Sequence, residues 1–404
     1  MKLPKYLCPI PWISLEVETL GTFAPCCIYD YKKKINGTDG KPLSISKGDT
    51  IHSAFNSQDM IELRQSFLRG EKPSGCSACW VEESVPGRRS KRLNSFEKFR
   101  SLLKEIEWEG TDHKIRFLDL KLGNICNLKC RICGAWSSSK WVQETIDLGF
   151  ASKDVDINSV AKKGQWPRHD QSWVTEIESL LDGILFFEFA GGEPFLIQQQ
   201  FDLLKLAKDR GYASKIDVHY NTNGTVFPPE ALEGLWKDFK RVEIAFSIDD
   251  IGPRFEYQRK GADWKEVLSN LKSFIELEQN SDNLHLQICT TINCQNIYYY
   301  DELLPVLDDL GLEDIYFNLL QNPPEYYIAN LPQKAKDAIL EKYSKATLPK
   351  KWKRQFDMIL EVLKQEGTDM SDILKKRLRI HDDYRKEDFS QSHPEIARLI
   401  DYGR

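Results

Sequence analysis

The chain has 404 residues, 41% hydrophobic and 29% charged, with a net charge of −5. That length buries a large core and divides into two or three structural units. The acidic balance gives no reason to expect nucleic acid as an obligate partner, no apolar run reaches the length of a membrane span, and the start MKLPKYLCPIPW lacks the apolar core of a secretion signal, so a cytoplasmic location is expected.

Residues 1–105 hold Cys8, Cys26, Cys27, Cys76 and Cys79 among turn signals such as Asn36-Gly37, Asp39-Gly40 and Pro73-Ser74-Gly75. They read as a small loop-rich module whose own core is modest, the kind that needs a metal staple. In a reducing compartment clustered cysteines argue for metal rather than disulfides. From residue 114 to 330 the pattern becomes strand and helix in alternation. Leu118, Leu120 and Leu122 alternate with polar residues, and Ile184–Ala190 is almost continuously apolar. Alternation returns at Ile216–Tyr220, Val242–Ile248 and Leu284–Ile292, and Ile315–Leu320 makes a sixth set. Trp264, Val267, Leu268, Leu271, Phe274 and Ile275 mark a helix between the fourth and fifth. Six strands alternating with helices predict an α/β fold with a parallel sheet, too few for a closed eight-stranded barrel. Residues 333–404 read as charged helices.

The chemistry concentrates after the first strand, at Cys126, Cys130 and Cys133. CxxxCxxC lets three thiolates converge from one loop on three corners of an iron–sulfur cubane and leaves the fourth iron open. Structural zinc fits a lone group of three poorly, because it takes four protein ligands. Buried free thiols are the other plain alternative.

These residues resemble the radical SAM (S-adenosylmethionine) superfamily, which carries CxxxCxxC after the first strand of a partial (β/α)6 barrel. Further motifs extend the resemblance to about residue 330. Gly191-Gly192-Glu193-Pro194 looks like the superfamily's GGE element, which implies close backbone approach to SAM and an acceptor for its ammonium on Glu193. Asn221-Thr222-Asn223-Gly224 resembles its TNG element. Ser247 and Asp249 stand where ribose contacts are usual, and Arg259-Lys260-Gly261 resembles a basic element that meets the SAM carboxylate. Ile132 occupies a position that is often aromatic, so its backbone is the expected adenine contact. The implied chemistry is reductive cleavage of SAM to a 5′-deoxyadenosyl radical that abstracts hydrogen from a substrate, with a flavodoxin or ferredoxin as reductant.

Cys8, Cys26, Cys76 and Cys79 are similar to the cysteine frame of the twitch (half-SPASM) module, which implies an auxiliary 4Fe–4S cluster and two clusters in all. Spacing alone leaves a four-cysteine zinc site open, and Cys27 could replace Cys26. Strand phase predicts that Asp217, His219 and Asn221, and His285, Gln287, Cys289 and Thr291, face the cavity. Cys289 is then the candidate catalytic thiol, a hydrogen-atom donor to a substrate radical; the plain alternative is an inert packed thiol. The leading expectation is peptide or protein modification, with no winged-helix-like leader-binding segment expected from these residues. The alternatives are a small-molecule dehydrogenase or epimerase acting on a sugar-like alcohol and, outside enzymes, an iron–sulfur electron carrier.

Overall fold

The computed structural model describes residues 3–150, 157–169, 171–228 and 234–403. Ten strands follow in chain order among these residues: β1 (Ser14–Val17), β2 (Phe23–Ala24), β3 (Phe117–Leu120), β4 (Lys129–Cys130), β5 (Phe186–Phe189), β6 (Asp217–Thr222), β7 (Arg241–Ser247), β8 (Arg259–Lys260), β9 (Leu284–Ile292) and β10 (Ile315–Leu319). Eight form one sheet in the order β10-β9-β7-β6-β5-β3-β1-β2, and β4 with β8 makes a separate two-stranded ribbon. Strands β3, β5, β6, β7, β9 and β10 pair in parallel. They coincide with the six sets of alternating residues.

The sheet extends further than the six predicted strands. β1 lies parallel to β3 with Ser14 opposite Phe117, and β2 closes the edge antiparallel to β1. Local periodicity cannot reveal this pairing, because β1 is four residues long, buried throughout, and its partner lies a hundred residues away. Residues of the N-terminal module, among them Leu7, Trp12 and Phe67, consequently join the same hydrophobic core as the sheet.

Strands β6, β9 and β10 bury one phase and leave the other at least half-open. In β9 the residues Leu284, Leu286, Ile288, Thr290 and Ile292 are buried while His285, Gln287, Cys289 and Thr291 alternate with them, half-buried. The apolar phase packs on the predicted helix, Trp264–Gln279, whose Phe274 meets Phe246 of β7 at 5.0 Å and Phe195 at 6.1 Å. Asp263 caps that helix by accepting from the backbone N–H of Lys265 and Glu266. The polar phase faces the helix Lys91–Lys98 of the N-terminal module, whose Lys91 lies 3.7 Å from Glu188 of β5.

The charged C-terminal region forms the helices Gln333–Lys345, Lys350–Leu363 and Ser371–Arg385. The last of these docks behind the cysteine loop. Arg131, between the second and third cysteine, is fully buried, stacks 3.6 Å from the Tyr257 ring and pairs with Asp382 at 2.7 Å and Glu387 at 2.5 Å. Lys129 pairs with Glu144, which also accepts from His381 and Arg385. Removing one partner of a buried ion pair strands the other charge at a cost of about 3–5 kcal/mol. Asp382→Ala should therefore lower the unfolding free energy, read from urea titration, by about 3–5 kcal/mol, and Asp382→Asn by less.

Candidate functional site

At the carboxyl ends of the strands lies a cavity of about 420 Å³ whose walls include Cys126, Cys130, Cys133, Ile132, Gly191, Gly192, Asn223, Ser247 and Arg259. Residues separated by more than a hundred positions thus meet at one place, as ligand sites of parallel α/β sheets do. The Cys133 thiol hydrogen-bonds to Cys130 and holds it below the usual thiol range. Burial pushes Cys126 up to about 11. The neighbours of Cys126 Sγ are hydrogen-bond donors, the Leu128 N–H at 3.4 Å and Asn223 Nδ2 at 3.8 Å.

The glycine pair is required by the chain itself. Gly191 and Gly192 have φ of +75° and +56°, and a Cβ on Gly192 would lie 2.2 Å from the Ile125 carbonyl oxygen. The Glu193 N–H donates to that same oxygen at 2.8 Å. The Glu193 side chain is already engaged by protein donors. It is fully buried, away from the cavity wall, and accepts from the Asn223 N–H at 2.7 Å, Thr222 Oγ1 at 2.8 Å and the Phe195 N–H at 3.2 Å. Burial raises its pKa to about 7. Asp249 is likewise committed to protein partners, accepting from Arg259 at 2.7 Å and from the Thr291 N–H at 2.7 Å. Arg259 remains on the cavity wall, aimed by Asp249.

Cys8, Cys26, Cys76 and Cys79 also meet, around a smaller cavity shared with Ile10, Tyr29, Phe67 and Arg92. Gly75 fits against the Tyr29 ring, which an added Cβ would approach to 2.2 Å. The Asp30 N–H donates to the Gly75 carbonyl at 2.9 Å, joining the loop of Cys26 to that of Cys76. Burial raises the Cys8, Cys26 and Cys79 thiols, and backbone N–H groups act against it: Ile10 for Cys8, Ile28 for Cys26 and Arg92 for Cys79. Cys126 receives the same i+2 donor from Leu128. Such donors point at the sulfurs as they would at thiolate ligands, and the gathering of each cysteine set suits metal or cluster ligation. Cys26 borders both cavities, whereas Cys27 leaves the four-cysteine set and borders only the larger one.

Strand phase succeeds in part. Asn221 and Thr291 line the larger cavity, but Cys289 does not. Cys289 sits in register between Ser247 and Tyr316, raised to about 12 chiefly by burial. Cys294 is a packed thiol that donates to the carbonyls of Glu325 and Tyr327. His219 donates to Glu243 at 2.7 Å, Gln287 to Asp314 at 2.8 Å and Lys240 to Asp217 at 3.1 Å, so side-chain pairing engages these positions. The sequence reading missed Glu16, Glu18 and Lys121, which also line the cavity; their strand pairing carries no local signal.

Residues 120–310 match the Radical SAM superfamily profile. This stretch, a little under half of the chain, is similar to a radical SAM domain. Members of that superfamily are enzymes that use SAM and an iron–sulfur cluster. No curated protein sequence matches the chain. Among solved structures, native anSMEcpe with bound AdoMet and Cp18Cys peptide overlaps at TM-score 0.39 and 17% identity, over 56% of this chain and 58% of that one. Streptococcus suis SuiB bound to S-adenosylmethionine overlaps at TM-score 0.37 and 14% identity, over 85% of this chain and 69% of that one. The chain thus spans little more than half the length of anSMEcpe. No helix among the described residues is long and apolar enough to cross a membrane.

Acid sensitivity follows from the polar inner face of the sheet. The hydrogen bond from His219 holds Glu243 at about 2, below the ordinary 4.5. A depressed carboxylate stabilises the fold above its unfolded pKa and loses that contribution as pH falls through the folded one. Glu243→Gln should therefore be less stable than wild type at neutral pH, with the difference closing between pH 4.5 and 2. Urea midpoints across that range measure it.

Proposed function

We propose that the chain is a radical SAM enzyme acting on a peptide or protein, with one 4Fe–4S cluster on Cys126, Cys130 and Cys133 in a partial (β/α)6 barrel and a second on Cys8, Cys26, Cys76 and Cys79 in a twitch-like module. The observation that carries this reading is the convergence of three thiols from one loop on a 420 Å³ cavity whose opposite walls are backbone glycine, amide, hydroxyl and guanidinium. Those groups suit a ligand bearing an ammonium, a carboxylate and a ribose.

When bound, the cluster and SAM supply one-electron reductive cleavage that yields a 5′-deoxyadenosyl radical. The chain's part is binding, orientation and exclusion of water. Arg259, held by Asp249, presents a fixed guanidinium to a carboxylate. Ser247 offers a hydroxyl on the wall, Asn223 stands there braced by Asn127 and Thr225, and Ile132 would offer its backbone to an adenine. The Glu193 carboxylate fixes the Thr222–Asn223 turn. Tyr31 and Trp136, 60% and 53% exposed, stand on the cavity's border. Exposed rings at a mouth suit the docking of an extended chain, which favours a peptide over a small alcohol. A flavodoxin- or ferredoxin-type protein in the cytoplasm is the electron source in this reading.

Anaerobically reconstituted, dithionite-reduced protein should convert SAM to 5′-deoxyadenosine and hold about eight irons per chain. Ala at Cys126, Cys130 and Cys133 together should abolish the conversion and leave about four irons; wild-type conversion by that variant rules the reading out. Arg259→Ala should raise the KM for SAM at least tenfold while retaining wild-type iron.

A further inference from the structure

Cys26 and Cys27 are neighbours in the chain, yet their side chains part. Cys26 joins Cys8, Cys76 and Cys79, whereas Cys27 turns to the inner face of the sheet, where Lys91 Nζ lies 2.7 Å from its sulfur. On that face Asp119 of β3 and Glu188 of β5 stand side by side in register. The Cys27 sulfur and one oxygen from each carboxylate lie within 4.8 Å of one another. Asp119 is 1% exposed, and neither of its oxygens has a hydrogen-bond partner among the described residues. Its neighbours are served elsewhere: Glu16 pairs with Lys121, and Glu188 lies 3.7 Å from Lys91. A buried carboxylate without donors is costly to the fold. Its persistence points to a ligand that completes it.

We propose that Cys27, Asp119 and Glu188 bind a divalent cation of borderline softness, of which Zn²⁺ is the type. One sulfur and two carboxylates match the donors such ions accept, and three protein ligands leave a position open, as catalytic rather than structural sites do. Ionised, the three ligands carry three negative charges; Lys91 stands against the sulfur while Lys98 and Lys121 act on the carboxylates without bonding Asp119, and a dication supplies the contact charge Asp119 lacks. Binding displaces the Lys91 ammonium from the sulfur. Cys27 also borders the larger cavity. The open position takes a carbonyl, hydroxyl or carboxylate oxygen. The site shares no ligand with either cysteine set and stands whether or not those sets hold clusters.

The test uses the full chain, anaerobically reconstituted and equilibrated with Zn²⁺, with zinc and iron counted and the zinc environment read by X-ray absorption. The expected result is about one zinc per chain with a single sulfur near 2.3 Å and oxygen donors at about 2.0–2.2 Å. Cys27→Ser and Asp119→Asn should each weaken zinc binding at least tenfold without loss of iron, which marks the fold as intact. Glu188→Gln, which keeps size and strand register, serves as a third variant with the same expectation. No bound zinc, zinc retained by all three variants, or a shell of three or four sulfurs that puts the metal on the other cysteines overturns the assignment.

Discussion

The Ile125 carbonyl and the Gly191–Gly192 turn touch so closely that not even one methyl group fits between them, and that contact decides where the cysteine loop lies. The carbonyl accepts the Glu193 N–H, while the Glu193 carboxylate gathers Thr222 and Asn223. One glutamate thus ties the ends of β3, β5 and β6 together before any ligand arrives. From behind, Arg131 anchors the loop to Asp382 and Glu387. A loop held on two sides keeps its three sulfurs aimed at a common point, which is the preorganisation that a ligand-binding constellation requires.

The inner face of the sheet is the other unusual feature. Glu16, Asp119, Glu188, His219 and Glu243 stand opposite one another across five strands in one layer. Such a belt is expensive in an interior, and it is offset by Lys121, Lys91 and Lys98 from neighbouring elements, which lower Glu188 against the effect of burial. Two of those three lysines come from the helix Lys91–Lys98. The N-terminal module therefore supplies counter-charge as well as cysteines.

Much of this was legible in the residues. Six strands and the helix Trp264–Gln279 follow from periods of 2 and 3.6, and spacing in the chain marked both cysteine sets that the structure gathers. What stayed hidden depends on distant partners. The pairing of Ser14–Val17 with Phe117–Leu120 has no local signal, nor does the docking of Ser371–Arg385 behind Arg131. Phase on a strand tells which face a residue takes but not how far along the cavity it lies, which is why Thr291 reaches the wall and Cys289 does not. Motif resemblance likewise marks Glu193 and Asp249 without revealing that neighbouring donors already occupy their carboxylates.

The parallel seam between β1 and β3 has a consequence for assembly. A nascent chain that has exposed Cys8, Cys26, Cys76 and Cys79 still lacks the strand against which Ser14–Val17 must lie. The amino-terminal cysteines reach their final setting only after Phe117–Leu120 leaves the ribosome. Grafting this module onto another barrel would need a host whose first strand presents a matching edge.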